Sequence, residues 1–447
     1  MAKKILIAAA LAFCLLFTAC AGGGAEQSGS GGENKLVITD SAGDPLAEYI
    51  TGKEPVSEKG YSSYVGTAVA EASETIISLG LCEREEIVSE LLSGGYVIET
   101  AFDRDIAAAL KSAADGNITA GIGFGCAVTD LQGRLVAAYD GVKEYAFLHN
   151  APYSSFKPLA VYAPAIERGL AVWSSAFSDS PYKQVEREDG SLSDWPANAD
   201  GKYSNKDVAL PAAIARSLNT VAVRCMKRVG VLNSLDFLRD SFGRNFDSER
   251  TRAEIYGEEE VIGNCALGYL YDGVSPAEMA GFYQIFANGG TYFAPKTVMR
   301  ITKNGKEIYK YSPEGKRVIK ESTAYIMNRL LCGVVMPGGT GAAARLDAVE
   351  VGGKTGSGDD GYWFVGFTPD YTCAVWHDIT LGYSLSPAVF AAAVSGFPAS
   401  GKSYPECPDV QKMVYCTDTG LLSFGGCPHT DAGYFDKDNL PEYCNAH

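Results

Sequence analysis

Two strand pairs about half the chain apart constrain this fold more than any other feature. GFGCAVTD and RLVAAYDG, at 123–130 and 134–141, flank the turn Leu131-Gln132-Gly133 and read as a hairpin. The same signal returns as YWFVGF, the turn TPD and YTCAVWHDI at 362–379. Between them the chain is mostly helical in periodicity: LAVYAPAIERGLAV, LPAAIARSLNTVAVRCMKRVG, PAEMAGFYQIFANGG and ESTAYIMNRLLCGVV. An early hairpin, a helical middle and a late hairpin predict one antiparallel sheet, closed by segments distant in sequence and covered by helices. The expected class is therefore α/β (α+β).

Residues 35–118 read as a small mixed platform, with helical SSYVGTAVAEASETIISLGL and EREEIVSELL followed by strand-like YVIETAF. The main domain is expected over 119–400 and a Cys-rich tail over 401–447. With 447 residues, 46% of them apolar, the chain can bury a sizeable core. A formal charge of −16 and the lack of a basic run interleaved with aromatics exclude nucleic acid as a partner.

The first 20 residues read as a targeting segment: Lys3 and Lys4, an apolar run of 13 residues from Ile5 to Phe17, then Thr18 and Ala19 before Cys20. The run is short of the ~20 residues that span a bilayer. LLFTAC resembles a bacterial lipoprotein signal, which implies a lipid on Cys20 after cleavage. Residues 21–34, AGGGAEQSGSGGEN, form a Gly/Ser-rich tether that would hold the rest off a membrane's outer face.

Export bears on the cysteines. Of 12, ten remain beyond Cys14 and Cys20. Cys82, Cys126, Cys225, Cys265, Cys332 and Cys373 are scattered, mostly in apolar contexts, and read as small buried hydrophobes. Cys407, Cys416, Cys427 and Cys444 crowd the last 41 residues, where two disulfides of undetermined connectivity are expected. A zinc site from these with His429 and His447 is the rival, disfavoured because no C-x-x-C knuckle is present.

Chemistry enters at PYSSFKP, 152–158. A serine and a lysine three residues apart at the start of a helix share a face, so Lys157 can reach the Ser154 hydroxyl: nucleophile beside base. The spacing is weak alone and recurs as Ser180-Pro-Tyr-Lys183, in a loop-like context. Two more triplets separate the candidates. Ser217-Leu-Asn219 interrupts a helical run with residues that are poor in helix interiors. Lys354-Thr-Gly356 leads a glycine-rich approach to a strand, where small residues admit a substrate backbone. The order S-x-x-K, S-x-N, K-T-G, with gaps of 63 and 137 residues, is the motif set of penicillin-binding proteins and serine β-lactamases.

From about residue 60 onward the chain resembles the transpeptidase half of class A penicillin-binding proteins. GGYVIETAFDRDIAAAL is similar to the linker preceding that domain. DGKYSNKDVALPAAIARSLNTVAV, GVSPAEMAGFYQIFANGGTY and GKTGSGDDGYWFVGFTPDYTCAVW follow its consensus, and the tail resembles the cysteine-bearing end of some members. About 60 residues precede the similar region, and none of His149, His377, His429 and His447 sits in a glycan-polymerising motif, so polymerisation is not expected of this chain. An E-x-x-x-N loop of class A β-lactamases is not found in a suitable place, the second motif differs from class D, and no G-x-S-x-G elbow supports a Ser-His-Asp hydrolase.

The resemblance implies a serine β-lactamase/DD-transpeptidase-like fold. It also implies a serine D,D-transpeptidase that binds β-lactams and cross-links peptidoglycan stem peptides without metal or organic cofactor. Ser154 would be the nucleophile and Lys157 its base, kept partly neutral by burial and by the charge of Lys354. Ser217 would relay a proton and Asn219 hold the substrate amide. Lys354, Thr355, Gly356 and Ser357 would seat the terminal carboxylate, with the amides of Ser154 and Ser357 as oxyanion hole. A separate glycan polymerase is the implied partner. D,D-carboxypeptidase and non-catalytic penicillin-sensing or wall-scaffold lipoprotein are the alternatives. Tyr153 stands where the family commonly has glycine, and its ring is expected to restrict the nucleophile turn or lean over the pocket, slowing acylation by large antibiotics.

Overall fold

The distant hairpins do close into one sheet. In the computed structural model, which describes residues 35–50, 56–57, 60–141 and 144–447, the strands Gly352–Ser357, Gly361–Phe367, Tyr371–Asp378, Phe124–Asp130 and Leu135–Asp140 form a five-stranded antiparallel sheet in that order. The joint falls between Tyr371–Asp378 and Phe124–Asp130, where Cys373 faces Val128 and Val375 faces Cys126. The expected signal (1–20), tether (21–34) and Cys20 lie outside the described residues. Among those described, no helix is long and apolar enough to cross a membrane.

The period-2 alternation of the strands divides the sheet between two cores. Trp363, Val365, Phe367, Ala374 and Trp376 enter the core built by the helical middle. Phe364, Cys373, Val375, Cys126 and Val128 enter the other, with the helices Arg104–Asn117 and Ser386–Val394. Both faces are covered, which explains why Phe124–Asp130 is buried throughout. On the first face Thr372 Oγ1 donates to Ala280 O at 2.6 Å, fixing the helix Pro276–Tyr283 over the sheet. That helix begins with a capping box, Ser275 with Glu278.

The N-terminal elements form a second sheet. Lys35–Thr39 pairs antiparallel with Pro45–Ile50 and parallel with Tyr96–Thr100, and the latter pairs with a hairpin, Val298–Lys303 and Lys306–Lys310. That hairpin lies in the middle stretch read as mostly helical. The tail forms its own two-stranded unit, Val410–Cys416 with Thr430–Asp436, docked on the helix Glu321–Cys332 through Ser322 Oγ and Asp436 Oδ2 at 2.6 Å.

The ten described cysteines are free thiols, which corrects the expectation of two tail disulfides. Cys407 lines a pocket with Phe286, Glu321 and Tyr404. Cys416 ends the seven-residue strand that follows, and at ~3.3 Å per residue a strand of that length separates the two by far more than a disulfide spans. Three cysteines then remain together, and three cannot make two bridges.

Candidate active site

PYSSFKP opens as a 3-10 turn, Tyr153–Phe156, in which the Lys157 amide donates to Ser154 O. An α-type bond to that carbonyl would come from residue 158, but Pro158 has no N–H, so the turn stays tight. A π turn, Pro158–Tyr162, and then the helix Ala163–Glu167 carry it on. Ser154 is half-buried, while Ser155 is fully buried with its Oγ donating to Pro152 O. Of the two serines, Ser154 is the accessible one.

The expected helix through Ser217-Leu-Asn219 is in fact broken there. One helix, Leu210–Ala215, ends before it, and the next, Asn219–Val229, starts after an extended Leu218. Ser217 itself has φ of 58°. Apolar periodicity runs through both helices and conceals the break. Its consequence is that Ser217 and Asn219 turn inward onto the two lysines.

Lys157 is fully buried; its Nζ donates to Asn219 Oδ1 at 2.7 Å and to Ser217 O at 3.0 Å, with Ser217 Oγ at 3.5 Å. Lys354, on the strand Gly352–Ser357, is also fully buried and reaches the same hydroxyl from the other side, with Nζ to Ser217 Oγ at 2.8 Å and to Thr355 O at 3.1 Å. Burial holds the Lys157 amine well below its ordinary value, and the nearby Lys354 charge adds to this. Burial alone brings Lys354 down to about 7. A neutral Lys157 has two N–H groups, matched by its two shortest contacts, and keeps one lone pair free to take a proton.

The strand carrying Lys354 lies hard against the Tyr153–Phe156 turn. A Cβ on Gly356 would sit 2.5 Å from Pro152 O and 3.0 Å from Trp363 Cβ, so the backbone approach requires glycine. Thr355 Oγ1 is 2.7 Å from Thr340 Oγ1, and Ser357 is exposed at the strand's end. Tyr153 has φ of 49°, a left-handed conformation that accounts for the glycine common at this place. Its ring does not lean over the pocket. It is 3% exposed, lies against Gly358, packs edge-on to Tyr269 at 5.0 Å, and donates its hydroxyl to Asp360 Oδ1 at 2.6 Å.

Sequence reasoning missed the residues that hold Asn219. Asp179, fully buried, accepts from Asn198 Nδ2 and Thr220 Oγ1, each at 2.7 Å. Asn198 Oδ1 in turn accepts from the Asn219 amide at 2.9 Å. No short motif encodes this chain of contacts; the stretch Asp179-Ser180 was visible only as the second S-x-x-K. There Ser180 is clamped by Arg224, whose guanidinium donates to Ser180 O at 2.8 Å and Oγ at 3.1 Å, and Lys183 extends over the Trp195 ring.

Comparison with known proteins decides the family. The penicillin binding protein transpeptidase domain matches residues 143–393, more than half of the chain. The chain belongs to this family. Penicillin-binding protein 1F of Bacillus subtilis is 30% identical over 388 residues, 80% of this chain and 49% of that protein. Penicillin-binding protein 1A of Clostridium acetobutylicum is 35% identical over 229 residues, 50% of this chain and 27% of that protein. The chain thus spans about a quarter to a half of the length of these relatives. The penicillin-binding fold recurs in the D,D-transpeptidase domain of a peptidoglycan glycosyltransferase from Eggerthella lenta (TM-score 0.61, 19% identity, 81% of this chain and 98% of that one). It recurs also in penicillin-binding protein A from M. tuberculosis, solved as an imipenem acyl-enzyme (TM-score 0.63, 17% identity, 81% and 98%).

Proposed function

We propose that this chain is a serine D,D-transpeptidase that cross-links peptidoglycan stem peptides through an acyl-enzyme on Ser154 and is acylated there by β-lactams. The observation that carries the reading is the pair of fully buried lysines meeting on one serine hydroxyl, one turn from a half-buried serine.

Ser154 Oγ attacks the carbonyl carbon of the penultimate D-Ala while neutral Lys157 takes its proton. The amides of Ser154 and Ser357 receive the oxyanion, worth roughly 2.7–4 kcal/mol for a donor of this kind. Collapse breaks the C–N bond, and the proton passes from Lys157 through Ser217 to the leaving amine of the terminal D-Ala. Protonated Lys354, with Thr355, Gly356 and Ser357, seats the terminal carboxylate. Asn219 Oδ1, already accepting from Lys157, keeps a second lone pair for a substrate N–H. A groove beside Asn219, lined by Trp195, Ala197, Gly263 and Tyr269, offers the stem a path. An amine from a second stem attacks the ester, forms the cross-link and returns Ser154. Lipid on Cys20 would hold the protein at the membrane's outer face, beside a separate glycan polymerase.

Labelling with a fluorescent penicillin tests the site. Loss of label in Ser154→Ala, with Ser155→Ala and Ser180→Ala still labelled, is expected; label persisting in Ser154→Ala refutes the assignment. With pentapeptide stems and a D-amino acid acceptor, exchanged product is expected, whereas free D-Ala alone would mean that water is the acceptor and the activity a D,D-carboxypeptidase. Neither label nor D-Ala release from folded wild type would leave a scaffold role. Fractionation of Cys20→Ala should move the protein off the membrane.

A further inference from the structure

The cysteines that fail to pair as disulfides converge instead with a histidine. The ligand atoms of Cys416, Cys444 and His447 all lie within 4.8 Å of one another, and Cys427, although not within that distance of all three, neighbours the thiols of Cys416 and Cys444. Four tetrahedral ligands at a Zn–S distance of ~2.3 Å would stand about 3.8 Å apart. We propose that Cys416, Cys427, Cys444 and His447 bind one zinc ion that braces the C-terminal tail.

The surroundings suit thiolate ligands. The amides of Asp418 and Thr419 face Cys416, and the Ala446 amide faces Cys444; Thr419 Oγ1 donates to Cys444 Sγ at 3.5 Å. Such donors offset charge on metal-bound sulfur. Asp418 Oδ2 lies 3.6 Å from His447 Nε2. A proton held on Nε2 toward that carboxylate leaves the Nδ1 lone pair for a metal, the carboxylate–histidine–metal arrangement. Cys444-Asn-Ala-His447 is itself a two-residue knuckle, with one sulfur and one nitrogen in place of two sulfurs. Binding converts three thiols to thiolates, so three protons pass to solvent, and Zn²⁺ stays divalent throughout.

The two strands of the tail are held by Tyr415 and Phe435, which are buried in the main core, whereas the segments bearing Cys427 and Cys444 lie outside those strands. Leu422 makes single bridges to Tyr415 and Tyr443, bringing the three chain segments side by side. The turn after Cys416 seats on the body through Ser174 Oγ, which donates to Gly420 O. A metal at the cluster would lock that turn to the Cys444–His447 segment.

The test is the metal content of the full exported chain, purified without a histidine tag, with cystine mapping on the same sample. One zinc per chain, lost in Cys416→Ser and Cys444→Ser but kept in Cys407→Ser, is expected. A thiolate-to-cobalt charge-transfer band with tetrahedral d–d absorption, on replacing zinc by cobalt(II) in the wild-type chain, is expected independently of whether the serine variants fold. A disulfide joining two of the three cysteines, or free thiols that take up neither ion when it is offered, overturns the proposal.

Discussion

Replacing Tyr153 by glycine and by alanine separates what its backbone and its ring contribute. The ring is 3% exposed and packed on Gly358 and Tyr269, so truncation should cost about 3–5 kcal/mol, the range for deleting a buried aromatic. Alanine loses that and keeps the left-handed φ of 49°, which an L-residue holds at a cost of about 1–2 kcal/mol. Glycine loses the ring but sheds the backbone cost, for a net loss of about 2–4 kcal/mol. Glycine should therefore be the more stable of the two by about 1 kcal/mol, the reverse of their order inside an ordinary helix. Phenylalanine tests the hydroxyl: Asp360 is exposed and rehydrates when its donor goes, so the loss should be about 0.5–1.5 kcal/mol. Thermal unfolding of wild type and the three variants gives the ranking. Labelling with penicillin should not accelerate in Tyr153→Gly, because the ring ties the Tyr153–Phe156 turn to the Gly358–Gly361 turn rather than covering the cleft. Alanine matching or exceeding glycine in stability would refute the backbone argument, and faster acylation of the glycine variant would refute the placement of the ring.

Two further outcomes follow from the site. On the proposed mechanism acylation needs Lys157 neutral and Lys354 charged, so its rate should rise as Lys157 deprotonates, below its ordinary range, and fall above about pH 7 as Lys354 loses its proton; a stopped-flow profile still climbing at about pH 9 would contradict this. Gly356→Ala drives a Cβ to 2.5 Å from Pro152 O and should cost about 1–3 kcal/mol and at least about ten-fold in acylation rate, with wild-type labelling kinetics counting against the close strand contact.

The closed sheet was legible because its strands carry their own turns and alternate apolar residues, and because both hairpins needed a partner. The three motifs were legible because they are local spacings, and the lowered lysine follows from burying two amines together, which their roles require. What stayed hidden depends on contacts that spacing does not encode. The break at Ser217 is masked by apolar periodicity that continues through Leu210–Ala215 and Asn219–Val229. Asp179 and Asn198 reach Asn219 across loops. The hairpin at 298–310 carries an Asn304-Gly305 turn that sequence can announce, but its partner Tyr96–Thr100 is far upstream. In the tail, the even number of cysteines points to bridges, and the only two-residue knuckle pairs a sulfur with a nitrogen, Cys444 with His447, rather than two sulfurs.

The backbone strain of this fold is concentrated where the chemistry is proposed. Among the described residues, four that are not glycine take a left-handed φ: Asn205 and Asn304, whose side chain tolerates it, and Tyr153 and Ser217, whose side chains do not favour it. The last two flank the lysines. Tyr153 is held by a tertiary contact, its amide donating to Gly268 O at 2.9 Å, and Ser217 by the cap of the helix Leu210–Ala215, in which the Leu218 amide donates to Ala213 O at 2.9 Å and the Ser217 amide to Ile214 O at 3.2 Å. The lysines add a second cost of the same kind. Lys354 sits near 7 folded against 10.5 when solvated, so between those values the unfolded chain binds the extra proton and stability from this group rises with pH; below about 7 the full penalty remains. At a pH below about 7, where Lys354 is charged and on the proposed mechanism would seat a carboxylate, the fold is therefore holding a buried cation it would be more stable without. A carboxylate of the substrate would relieve that penalty, which makes the destabilised pocket itself a source of binding energy for an anionic stem terminus or β-lactam.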